Sequence, residues 1–236
     1  MLHFNNTTNI IHNSRRSSIF LLPILLLLMI SCKKEQVIPS GNQVTETRTP
    51  GTFKMISTNS AANIHITQGE SHSVVIKGSD NLIKHFSATI INGELKLAFQ
   101  NGNITSNDLE IWLTIPALES VVTSGSGNIE ILGNFSDQNS LTTHVSGTGN
   151  IKVKGSMRTN FLKFYSSGSG TTDLSSIWAN IAEFELSGSG SVKVNVDEEL
   201  KAKLTGSGNI YYSGNPTILS DIKGSGKLIK IDTPND

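Results

Sequence analysis

The chain has 236 residues, 36% of them hydrophobic and 16% charged, with a single cysteine. Lysine plus arginine equals aspartate plus glutamate at 19 each. No cluster of cations exists to neutralise phosphates, which excludes a nucleic-acid partner, and one cysteine excludes an internal disulfide framework.

Residues 1–31 read as a signal peptide. Arg15 and Arg16 precede a 12-residue apolar run, Ile19 to Ile30, broken by Pro23 and followed by Ser31 and Cys32. That run is too short for a membrane span of about 20 residues but suits a secretory core. Met29-Ile30-Ser31-Cys32 resembles a bacterial lipobox, which implies cleavage before Cys32 and acylation, palmitate included, of its sulfur. Losing Arg15 and Arg16 leaves 17 cations against 19 anions. The expected location is the cell envelope, anchored by lipid in the outer membrane and facing the cell surface.

The next segment, 32–50, joins the lipidated cysteine to a polar stretch with Pro39, Gly41 and Pro50, expected as a flexible tether reaching roughly 60 Å when extended. Residues 51–120 alternate in short apolar runs that suit strands: Asn63 to Thr67, Val74 to Ile76, Gly93 to Leu97 and Glu110 to Ile115. Only a turn near Asp80 to His85 reads as helical.

Residues 121–236 repeat. SGSGNIEI (124–131), SGTGNIKV (146–153), SGSGTTDL (167–174), SGSGSVKV (187–194), TGSGNIYY (205–212) and KGSGKLIK (223–230) share one signature. Their first glycines, Gly125, Gly147, Gly168, Gly188, Gly206 and Gly224, are spaced 22, 21, 20, 18 and 18. Fixed periods of this length mark stacked supersecondary units. Side chains alternate along a strand, so parity assigns faces. Leu200, Ala202, Leu204, Gly206, Gly208, Ile210 and Tyr212 share one parity, the expected inward one. Between two apolar segments each unit then places a Gly-x-Gly hinge, where a bend leaves no room for a side chain.

Aligned on the glycines, the outward parity forms rows. One is Ser126, Thr148, Ser169, Ser189, Ser207 and Ser225; the next is Asn128, Asn150, Thr171, Ser191, Asn209 and Lys227. A third, Glu130, Lys152, Asp173, Lys193 and Tyr211, alternates in sign, and ion pairs between stacked coils are expected there. The fold class is therefore all-β: a parallel β-helix-like solenoid of about 20-residue repeats. Residues 51–120 supply a cap or further coils, and 51–236 form one continuous domain.

These residues also carry a resemblance. Phe53 to Ile56, Ile64 to Gly69, Gly93 to Leu97, Leu113 to Leu118 and the repeated Gly-Ser-Gly-Asn-Ile are similar to the "Putative auto-transporter adhesin, head GIN domain" family of bacterial envelope proteins. The resemblance implies a β-helix-like domain behind a lipoprotein signal and an adhesin role. It brings no catalytic residue with it.

Chemistry is otherwise sparse. The glycine pairs lack the third glycine and helix of a dinucleotide loop. Asn, Thr, Ser or Lys stands where calcium-binding repeats need aspartate, and neutral amides and hydroxyls or a cation make a poor cation cage. His65, His72, His85 and His144 lack metal-ligand spacing, so no metal and no cofactor is expected. Asp173, Asp197, Asp221 and Asp232 are the candidates for the paired carboxylates of a polysaccharide-degrading β-helix enzyme. Asp173 stands in the alternating row beside Lys152 and Lys193, which favours a structural pair. The other three lie near turns with no clustered basic or aromatic neighbours, and no catalytic site is assigned. The expected function is a non-catalytic adhesin or binding module for an extracellular glycan or protein. A structural envelope spacer is the alternative.

Overall fold

The computed structural model describes residues 1, 3, 36–100 and 103–232; apart from Met1 and His3, the expected signal peptide lies outside the described residues, and so does Cys32. The N-terminal part contains β1 (Gln36–Val37), β2 (Gln43–Arg48), β3 (Met55–Thr58), β4 (Asn63–Gln68), β5 (Ser73–Ser79), α1 (Asp80–Ile83), β6 (Phe86–Ile91), β7 (Glu94–Phe99), β8 (Asn103–Ile104) and β9 (Glu110–Ile115). The repeats form β10 (Ser120–Thr123), β11 (Ile129–Ile131), β12 (Phe135–Val145), β13 (Ile151–Val153), β14 (Met157–Ser166), β15 (Thr172–Leu186), β16 (Val192–Leu204), β17 (Ile210–Ser213), β18 (Thr217–Ile222) and β19 (Leu228–Lys230).

Every neighbouring pair from β10 to β19 is parallel, and outside register shifts in the β12–β14 and β15–β16 pairs each residue lies over its equivalent one repeat away. Isolated repeats could not cover their own apolar face; stacking converts those faces into continuous columns. One column runs Ile129, Ile151, Thr172, Val192, Ile210 and Leu228. Another runs Val121, Thr143, Phe164, Phe184, Ala202 and Ser220. Within them Phe164 and Phe184 touch at 5.3 Å between ring centroids. Leu200, Ala202, Leu204 and Ile210 are buried as parity predicted, and Lys201, Lys203, Thr205 and Ser207 are exposed. The chain is a β-solenoid of about five turns.

The glycine corners obey a different rule from the one expected. Their backbone does not require positive φ, which among the described glycines occurs only at Gly41, Gly51, Gly78, Gly93 and Gly214. Nor would a side chain there point into a cramped interior. A Cβ built on Gly147 would stand 1.9 Å from the carbonyl oxygen of Gly125, one on Gly188 would stand 2.1 Å from that of Gly168, and one on Gly206 2.1 Å from that of Gly188. The obstacle is the backbone of the coil beneath. That same carbonyl accepts two hydrogen bonds from above: Ser189 and Gly190 both donate to Gly168 O at 3.1 Å.

A seventh corner, Thr58 to Asn63, lies under Gly125 and Gly127, because β3 pairs in parallel with β10 and β4 with β11. It carries Ser60 and Ala62 in place of the glycines. The corner N–H groups, which in later coils donate to the coil beneath, are here satisfied locally. Ser60 N donates to Thr58 Oγ1 at 3.2 Å and Ala62 N to Ser60 Oγ at 3.3 Å. Two hydroxyls thus replace a missing coil, as caps do at a helix end.

The shrinking repeat has a structural cause. Turns of 20 to 22 residues carry an extra buried column, Phe135, Met157 and Ile177. In the 18-residue turns this corner is deleted, and the β15–β16 register slips between Leu174 and Trp178. Asn195 fills the narrowed core there, 2% exposed. Its amide donates to Ser175 O and its carbonyl accepts from the Ser213 hydroxyl.

Beneath the first coil, β7 and β9 continue the two faces in parallel, and then the direction reverses: β6 runs antiparallel to β7, and β5 to β9. The expected tether is corrected here. Residues 43–48 form β2, antiparallel to β5 from Gln43↔Ser79 to Arg48↔Val74. Their side chains are nearly all exposed, so an apolar signal was absent although the backbone had a partner. Asp108 pins this edge, accepting from Ser79 N at 3.0 Å, Ser79 Oγ at 2.7 Å and Gln43 Nε2 at 2.5 Å.

Candidate functional site

The outward rows divide into those already used to hold the coils together and those left free. The asparagine row is largely used. Asn128 Oδ1 accepts from Asn150 N at 3.3 Å and from Asn150 Nδ2 at 2.9 Å. Asn150 Oδ1 accepts from Thr171 N at 2.8 Å, and Asn209 Oδ1 from Lys227 N at 2.9 Å. The third row stacks in the expected register, Glu130 over Lys152 and Asp173 over Lys193, but the expected ion pairs do not form. Glu130 instead binds Lys154 at 2.6 Å, and Asp173 accepts from Ser175 Oγ at 2.5 Å. The Lys154 hydrogen bond, against a smaller opposing effect of burial, holds the Glu130 carboxyl below its ordinary value.

Sign alternation does occur, on the other side of the corner. Lys163 and Glu183 stand 3.7 Å apart in neighbouring coils, and Glu185 and Lys203 stand 3.2 Å apart. The second pair belongs to the column Val122, His144, Tyr165, Glu185, Lys203 and Asp221. Beside it, before each glycine pair, runs a row of hydroxyls: Ser146, Ser167, Ser187 and Thr205. Column and row form the two walls of an open groove of about 520 Å³, within the range of small-ligand sites. His144 and Tyr165 stack at 4.5 Å with 16° between their planes, so one face of each ring meets the other and their edges line the groove. Among the described residues, Ser146, Ser167 and Thr205 hydroxyls bond to no protein group; Ser187 Oγ donates to Ser166 O at 3.4 Å. A second hollow, of about 600 Å³, lies at the first corner, but one of its walls is β8 with residues 105–107 and offers no repeating row.

The remaining sequence candidates do not converge. Asp197 lies 3.7 Å from Arg158 and Asp221 2.9 Å from Lys223; with Asp173 on its serine, each faces a base or a hydroxyl. Asp232 follows the last strand. His65 sits between two carboxylates, 2.6 Å from Glu110 and 3.3 Å from Glu130, one at each ring nitrogen. They flank the ring instead of meeting at a point. His72 Nε2 lies 3.0 Å from Phe53 O. Among the described residues no three His, Cys, Asp or Glu side chains are placed to hold a metal ion.

Such a molecule is a parallel β-solenoid whose surface carries a repeating polar groove. It belongs to the family described as "Putative auto-transporter adhesin, head GIN domain", whose model matches residues 52–216, and this places it among cell-surface or envelope proteins. No similar protein was found among those of curated function. Solved structures share its fold. A putative adhesin from Bacteroides fragilis is 23% identical, with a TM-score of 0.68 over 84% of this chain and 100% of that one. A putative adhesin from Parabacteroides merdae is 20% identical, with a TM-score of 0.56 over 83% and 99%. A protein from Parabacteroides distasonis called a putative lipid binding protein is 21% identical, with a TM-score of 0.54 over 84% and 100%.

Proposed function

We propose that this chain is a non-catalytic surface adhesin. It is tied to the outer membrane by an acylated Cys32 and grips an extracellular partner on the outside of its solenoid. The observation that carries the reading is the groove before the glycine corners: its Ser146, Ser167 and Thr205 hydroxyls are left free while the asparagine row on the far side of the corner is used for coil-to-coil bonds. The carboxylates bound to bases or hydroxyls favour holding over hydrolysis. The test uses cells displaying the wild-type chain or Cys32→Ser against panels of envelope glycans and matrix proteins. Wild-type cells should adhere, and Cys32→Ser should lose acyl labelling, membrane retention and adhesion together. Polymer cleavage would replace the reading with an enzyme. Adhesion to no ligand would replace it with a spacer, and retention of Cys32→Ser in the membrane would overturn the anchor.

A further inference from the structure

Resting on that reading, we infer that the groove takes a linear, extended β-linked oligosaccharide laid parallel to the solenoid axis, about one sugar residue to each coil. The inference begins from periodicity. Each wall repeats once per coil, at about 4.8 Å, so Ser146, Ser167, Ser187 and Thr205 present four hydroxyls in a line of about 14 Å. The opposite wall repeats at the same interval with the His144 and Tyr165 edges, then Glu185 and Lys203. A ligand using both walls must itself repeat at close to the coil rise and offer polar groups along both edges. An extended β-1,4-linked glycan does so: its residue length is near the rise, and successive residues turn over, so hydroxyls face both sides.

Other ligand classes fit less well. A peptide recognised as an added strand needs a free sheet edge, whereas the groove lies on a sheet face whose backbone groups are consumed by neighbouring coils. A nucleic acid needs free cations and ring faces for its bases. The one cation of the groove, Lys203, is paired with Glu185, and His144 and Tyr165 each cover one face of the other within a column whose next members are Val122 and Glu185. Serine and threonine hydroxyls both donate and accept, which suits a neutral polyol.

The experiment measures binding of cello- and xylo-oligosaccharides of two to six residues to the full chain in detergent, with maltohexaose as a coiled, α-linked control. Affinity should rise at least tenfold from disaccharide to tetrasaccharide and then level off, and maltohexaose should bind at least tenfold more weakly than the β-linked hexamers. Ser167→Val with Ser187→Val should weaken binding tenfold or more. Ser169→Val with Ser189→Val, at the corner itself between the paired glycines and outside the groove, should leave it unchanged; equal thermal midpoints show that both variants fold. Length-independent affinity, equal binding of maltohexaose, or indifference to the Ser167/Ser187 pair would overturn the axial assignment. If no oligosaccharide of the series binds but cells still adhere to another ligand, the axial glycan falls and the adhesin reading stands. If cells adhere to nothing, both fall.

Discussion

Gly188→Ala tests the stacking rule with the smallest possible change. The added methyl would lie 2.1 Å from Gly168 O and 2.6 Å from the Ser167 carbonyl carbon. A carbon–oxygen contact needs about 3.3 Å, so the two coils must part by about 1 Å at this corner. That opening takes the Ser189 and Gly190 bonds to Gly168 O, both 3.1 Å, out of range. Two net hydrogen bonds contribute about 1 kcal/mol each, and overpacking a rigid site costs about 1–3 kcal/mol. The expected loss is therefore about 3–5 kcal/mol, a large part of the roughly 5–15 kcal/mol that stabilises a typical domain. Urea unfolding followed by far-ultraviolet circular dichroism measures it. Ser189→Ala, on the exposed side of the same corner, should stay within about 0.5 kcal/mol of wild type. In an ordinary strand, Gly→Ala would gain about 0.5–1 kcal/mol. A Gly188→Ala variant at or above wild-type stability would refute the carbonyl-contact argument.

Ser60→Gly makes the first corner look like the others, yet it should cost about 1 kcal/mol in the same assay, because Ala62 N loses its acceptor. Thr172→Val should stabilise by about 1–2 kcal/mol: the Thr172 hydroxyl is buried without a partner, between Ile151 and Val192, and removing it relieves a desolvation cost. Ile151→Ala should lose about 2–5 kcal/mol as a buried truncation, whereas Lys152→Ala, exposed and one residue along, should change the urea midpoint little. Stability should also fall in acid. Glu130 is held below its ordinary value by Lys154. Burial pushes the Asp108 carboxyl up, but the Ser79 and Gln43 hydrogen bonds together outweigh it and hold the group low. Both therefore bind fewer protons folded than unfolded. Their contribution is full above the unfolded carboxylate range near pH 4 and is lost as pH falls through the depressed folded values. Urea midpoints between pH 6 and pH 2 should decline less steeply for Glu130→Gln than for wild type.

The repeat made much of this legible. Parity places Leu200 to Ile210 correctly because every coil buries one face, and the recurrence of the glycines every 18 to 22 residues already implies a stack of equivalent coils. The groove lies in the residues before the glycines, whereas the rows legible in the sequence run between and after them. His144, Tyr165, Glu185 and Lys203 each stand three residues before the first glycine, so the same arithmetic would have found their column and its sign alternation. The first corner escaped because it lacks the glycines, although Thr58, Asn63, Ile64 and Ile66 match Thr123, Asn128, Ile129 and Ile131. The strand at 43–48 escaped because an exposed edge needs no apolar face. Charge alternation at Glu130, Lys152 and Asp173 misled because register brings residues side by side without deciding which neighbour a long side chain prefers.

The seventh corner gives the molecule a direction of growth. Tandem duplication of an 18- to 22-residue unit anywhere above it inserts a coil whose glycines meet carbonyls below and whose own carbonyls meet glycines above, so the rod can lengthen without redesign. Underneath, the same unit would meet Ser60 and Ala62, whose side chains occupy the approach that Gly125 and Gly127 leave open. A second molecule arriving head to tail meets the same obstruction, behind the reversed strands β5 and β6. The reversed strands and the Ser60 and Ala62 side chains together close this end of the stack to a further coil.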